Sequence, residues 1–115
     1  MPVSNLTVVL DREQLRDVTL NDDELMREVV EALIDDTARQ MLLLQAAICA
    51  RDVPGTMRLA HYSKGACASL GAKAAATTLL HIERSAASGD FSGCAASLAN
   101  LAAEVERLRA EEIPG

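Results

Sequence analysis

With 115 residues, the chain has room for one domain and little more. Half of the residues are hydrophobic and only 2% are aromatic, with Ala and Leu dominant, which favours packed helices over sheet. The net charge of -6 argues against nucleic-acid binding. No apolar run reaches the ~18 residues of a membrane span, and no basic start leads into an apolar stretch as in a signal peptide. Cys49, Cys67 and Cys94 are odd in number, widely spaced and set among apolar residues. They are expected to be buried thiols of a cytoplasmic protein rather than a disulfide framework, and no CxxC or other metal-binding spacing is present.

Residues 1–10 carry Val3, Leu6, Val8, Val9 and Leu10. Without a second strand to pair with, they are expected to form an arm lying on a helical core. Asp11 can cap a short helix to Val18, turning Leu10, Leu15 and Val18 inward. Asn21 followed by Glu24 resembles a capping box and opens the next helix, where Asp22, Asp23 and Glu24 suit the positive end of the helix dipole. From there to about Ala50, Met26, Val30, Leu33, Thr37, Met41, Leu44 and Ile48 recur every three or four residues. Arg51-Asp52-Val53-Pro54-Gly55 breaks the pattern, and Pro54 suits the first turn of a third helix over about 54–70, stopped by Gly71. A fourth helix spans about Lys73 to Ser88 and ends at Gly89. Asp90 can cap a fifth over about 91–112, whose Phe91, Cys94, Leu98, Leu101, Val105 and Leu108 form a seam for a neighbouring helix. Four substantial helices on short loops predict an all-α fold. It is an up-down antiparallel four-helix bundle with a short extra N-terminal helix, one domain over 1–115 with its core at about 11–108.

The third helix carries an unusual face. At about 100° per residue, Ala60, Ser63, Cys67 and Leu70 share a small or apolar sector suited to a core. His61, Lys64, Gly65 and Ala68 share another. Gly in a helix interior costs about 1 kcal/mol against Ala. One turn from a histidine, it clears space for a large body to approach the imidazole. Arg51, Arg58, Lys64, Lys73 and Arg84 outnumber Asp52 and Glu83 in this region, whereas acids crowd the first third of the chain. A locally basic surface fits an acidic or phosphorylated partner. His81, on the next helix without such surroundings, is read as structural. Cys67 points too far around the helix to pair with His61 as a nucleophile.

The run Ala60-His61-x-x-Lys64-Gly65, followed by Leu70-Gly71-Ala72, resembles the signature of histidine-containing phosphotransfer (HPt) domains, carriers of two-component phosphorelays. The resemblance covers about Asp11 to Leu108 and departs from the family pattern at Tyr62, Ser63, Ala66 and Cys67. It implies that His61 is the phosphoacceptor, that Lys64 stabilises the phosphate, and that Gly65, Ala68 and Arg58 belong to the docking surface. It implies a receiver domain of a response regulator, a hybrid sensor histidine kinase, or both, as partners. The magnesium and the aspartate would be the receiver's, and the chain would hold no cofactor of its own. No phosphate-cradling Gly-rich loop is present, so a phosphocarrier without kinase activity is expected, as a monomer engaging neither nucleic acid nor membrane. The alternative is a bundle that docks receiver or kinase domains as a scaffold without relaying phosphate. A weaker alternative is self-association through the Phe91–Leu108 seam.

Overall fold

A computed structural model describes residues 8–113. Five helices follow one another: α1 (Arg12–Val18), α2 (Asp23–Cys49), α3 (Val53–Ser69), α4 (Lys73–Ala87) and α5 (Phe91–Ala110). No strand occurs among the described residues. The helix α2 packs on α3 and α5, and α4 packs on the same two, which closes a ring of four. Short connections make successive helices antiparallel, so the expected up-down bundle with a short leading helix is the observed fold. Residues 1–7 of the expected arm lie outside the described residues.

Aspartates start four of the helices. The side chains of Asp11, Asp22, Asp52 and Asp90 accept from the backbone N–H groups of Gln14, Leu25, Gly55 and Gly93, at 2.9–3.1 Å. The cap of α2 is therefore Asp22, not the expected Asn21. Leu20 and Asn21 take left-handed backbone conformations (φ 55° and 60°) to turn the chain between α1 and α2, which leaves the next acid in the capping position. Gly71 (φ 84°) and Gly89 (φ 75°) end α3 and α4 as the sequence predicts.

The core is aliphatic, with Leu15, Leu44, Leu79, Ile82 and Leu101 buried. Every buried residue of α3 is small: Gly55, Thr56, Ala60, Ser63 and Cys67. Ala74, Ala75, Thr78 and Ala86 are among those of α4. Small side chains let these helix axes approach closely, which brings outer side chains of one within reach of the other. The seam residues Phe91, Cys94, Leu101, Val105 and Leu108 are buried inside the bundle and Leu98 partly so.

Two expectations on burial need correction. Val18 is 51% exposed, because the inward position at the end of α1 belongs to Thr19, whose hydroxyl donates to the Leu15 carbonyl at 2.7 Å. Cys49 is exposed at the last residue of α2, while Cys67 and Cys94 are buried.

The helix α1 straps the end of the bundle. The Asp11 N–H donates to the Gly71 carbonyl (2.7 Å) and the Ala74 N–H to the Val8 carbonyl (3.0 Å). Lys73 pairs with Asp11 at 3.0 Å. On the other side, Arg12 donates to the Glu112 carbonyl at 2.6 Å and to the Glu111 carboxylate at 3.0 Å.

Candidate functional site

His61 lies near the middle of α3 with its side chain 70% exposed. In the expected core sector of the same helix, Ala60, Ser63 and Cys67 are buried and Leu70 is partly so, while His61, Gly65 and Ala68 face solvent and Lys64 is partly covered. A Cβ added at Gly65 would meet nothing within 4 Å, so no neighbouring helix requires a glycine there. The bare strip beside the imidazole is open surface.

Glu83 on α4 joins the two polar residues of this face. One carboxylate oxygen accepts from the Lys64 ammonium at 2.7 Å, and the other lies 3.2 Å from Nδ1 of His61. The bond from Lys64 holds the Glu83 carboxyl below its usual range. Partial burial works against this, and Lys64's charge and His61 add to the lowering. An ionised carboxylate can only accept hydrogen bonds, so Nδ1 must carry the proton. The lone pair of the neutral ring is then on Nε2, the nitrogen that Glu83 leaves free. Histidine can take a phosphoryl group on such a nitrogen and release it, because the nitrogen is both nucleophile and leaving group.

On the other side of α3, the Tyr62 hydroxyl donates to Asp36 of α2 at 3.3 Å, and Arg39 also approaches that carboxylate at 3.5 Å. Hydrogen bonds thus tie the helix bearing His61 to both its neighbours at the level of the ring. Much of the positive charge counted in the sequence is occupied. Lys64 is on Glu83, Lys73 on Asp11, and Arg51 stacks over Phe91 at 5.2 Å. Arg58 and Arg84 are exposed, with no ion pair among the described residues.

Glu83 is the member of the site that sequence reasoning missed, since it entered only as an acid set against basic neighbours. A signal was present. Positions 61 and 83 lie equally far on either side of Ala72, at the turn between two antiparallel helices, so they face each other. His81 is exposed on α4 and is not brought to His61. Cys67 turns inward, its sulfur 3.9 Å from the Thr37 hydroxyl, and burial pushes its thiol up.

A family model described as Hpt domain matches residues 28–111. The chain belongs to the Hpt domain family. As a member it is a phosphorelay intermediate of two-component signal transduction, and proteins of this family are phosphocarriers rather than kinases. Proteins of this family interact with histidine kinases and response regulators. The fold of this Hpt domain is similar to that of histidine-containing phosphotransfer protein B (HptB) from Pseudomonas aeruginosa PAO1. That match has a TM-score of 0.81 and 22% identity over 89% of each chain. A histidine-containing phosphotransfer protein from maize superposes with a TM-score of 0.76 and 24% identity, over 89% of this chain and 78% of that one. None of the curated proteins matches the sequence with significance. Among the described residues of the Hpt domain, no helix is long and apolar enough to cross a membrane.

Proposed function

We propose that His61 is the phosphoacceptor of this relay. It takes the phosphoryl group from a receiver aspartate or a sensor kinase and passes it to a receiver aspartate. One observation carries the reading: an exposed imidazole whose Nδ1 is held by Glu83, which leaves Nε2 free, on the same helix face as the exposed Gly65 and Ala68. Phosphoryl transfer needs in-line approach and neutralisation of charge. The strip allows the approach. Lys64, one turn away on a flexible stem, supplies positive charge to the phosphoryl oxygens, for which its ammonium must turn from Glu83. Arg58 is exposed one turn from His61 on the other side and contributes to docking. Magnesium and the acidic pocket belong to the receiver. The chain acts as a cytoplasmic monomer without kinase activity of its own, and its docking is transient.

The test is phosphoryl transfer from a panel of labelled, phosphorylated receivers, with wild type beside His61→Gln. Acid-labile, base-stable label is expected on wild type and none on the variant. Transfer that persists in His61→Gln would instead establish the bundle as a docking scaffold or move the acceptor elsewhere.

A further inference from the structure

On the side of the bundle away from His61, a groove of about 560 Å³ runs between α2 and α5. Its floor is Met41, Ile48, Leu98 and Val105, and Leu42 stands at its edge, 69% exposed. The α5 wall is Ala95, Ala99 and Ala102, whose side chains are too short to close the gap. His61 and Glu83 are on α3 and α4, the two helices of the ring that do not border it. We propose that this groove is a second docking site, which takes an amphipathic helix of a partner protein, acidic in its first turn and basic in its last.

The occupant's backbone decides its form. Apart from the Cys49 thiol, Gln45 is the one polar side chain described between the charged ends of the groove. An extended segment would leave the N–H and C=O groups turned to this surface unpaired, whereas a helix satisfies them internally. The alanines of the wall let the axis of an added helix come close, and apolar side chains at every third or fourth residue of that helix fill the groove.

The charges give its direction. At one end Arg109 is paired with Glu106 at 3.0 Å, and it also borders an adjoining hollow lined by Glu31 and Asp35, so carboxylates outnumber the guanidinium there. At the other end Arg51 is exposed, stacks over Phe91 at 5.2 Å and has no ion pair among the described residues. The acids at that pole, Asp52 and Asp90, are engaged as the caps of α3 and α5. Asp35 and Arg51 are about 24 Å apart along α2, so a helix of that length meets the acids with one end and the arginine with the other. Acids in the first turn and bases in the last are also what a helix's own dipole favours. The occupant therefore lies antiparallel to α2, with its first turn at Arg51. Seated there it leaves the imidazole open, so that this partner and a receiver can be on the chain together, each raising the local concentration of the other.

The experiment uses a fluorescein-labelled peptide of about 16 residues, with leucines spaced three and four apart, glutamates in the first turn and lysines in the last. A second peptide has the two charged ends exchanged. Anisotropy with the full chain at low salt is expected to favour the first peptide about fivefold. Ala99→Glu, at an exposed position of the wall, should weaken its binding about tenfold. The double variant Glu31→Lys with Asp35→Lys should reverse the preference between the two peptides. In the nitrogen-labelled chain, amide resonances of residues 38–49 and 95–102 should move on binding, and those of His61 and Glu83 should stay in place. Binding of neither peptide, equal affinity for both, or shifts centred on α3 overturn the proposal. So does an Ala99→Glu chain that keeps its helix content and its full affinity. Movement of the same resonances when the chain alone is concentrated would make a second copy the occupant, and overturns it as well.

Discussion

At Gly65 helix stability and partner access pull in opposite directions. The residue is exposed, helical, and has open space where a side chain would start. Replacing it with alanine should stabilise the bundle by about 0.5–1 kcal/mol, since alanine restricts the unfolded chain and suits the helix better. The same methyl group would stand on the strip over which a receiver reaches His61. Gly65→Ala is therefore expected to melt a few degrees higher than wild type and to exchange phosphate with its receiver more slowly. Calorimetry and transfer assays on one preparation check both halves. A variant that melts higher and transfers at the wild-type rate would remove Gly65 from the docking surface. Residue-level legibility followed locality. His61, Lys64 and Gly65 could be placed on one face because they lie little more than one turn apart on a single helix, whose geometry fixes their directions. Glu83 could not be recognised as easily, because its role depends on the register of two helices across a turn.

Among the elements, α3 carries the site, and its first turn is fastened by one side chain. Asp52 accepts the Gly55 N–H at 3.0 Å, and Pro54 in the same turn needs no donor. Asp52→Ala is expected to cost about 1 kcal/mol in urea unfolding, the usual value of such a cap. The hydrogen bonds of His61 and Lys64 to Glu83 lie two turns further on, so transfer at a temperature well below melting should be unaffected. The limits of the helices were legible because aliphatic residues recur at three and four and because Gly71 and Gly89 stop them. The failures lie where two residues of like chemistry compete. Asn21 and Asp22 are both good caps, and only the path of the chain decides that Asn21 takes the left-handed turn. Val18 and Thr19 both fit the end of α1, and the threonine wins because its hydroxyl can bond back to Leu15 when buried.

Over the whole molecule, stability against pH is set by carboxylates that folding shifts in opposite directions. Glu83 titrates below its usual range because of Lys64, so its contribution is present above the ordinary carboxylate value and is lost as pH falls through the lowered one. Glu104 on α5 is the reverse case. One of its oxygens is buried with no hydrogen-bond partner, and burial raises its carboxyl, with Thr78, Arg107 and His81 pulling it back in part. A raised carboxyl favours the fold when protonated and weakens it as pH climbs past the ordinary value of 4.5. Glu104→Gln, always neutral, should therefore melt above wild type at neutral pH, the gain shrinking as the pH is brought below that value. Thermal melts across the range decide it. A gain that is independent of pH would show that shape, not charge, is what matters at Glu104.

The hydrogen bonds from Arg12 to Glu111 and Glu112 hold the two ends of the described chain against each other at one pole of the bundle. In topological terms the described residues are almost a ring. A circular permutant joined there and opened in the turn at Gly89 would begin with α5 and finish with α4. Each of the four bundle helices would keep both of its packing neighbours, and the hairpin that sets His61 against Glu83 would remain uncut. The order in which the helices appear in the gene is thus a separate matter from the geometry of the site.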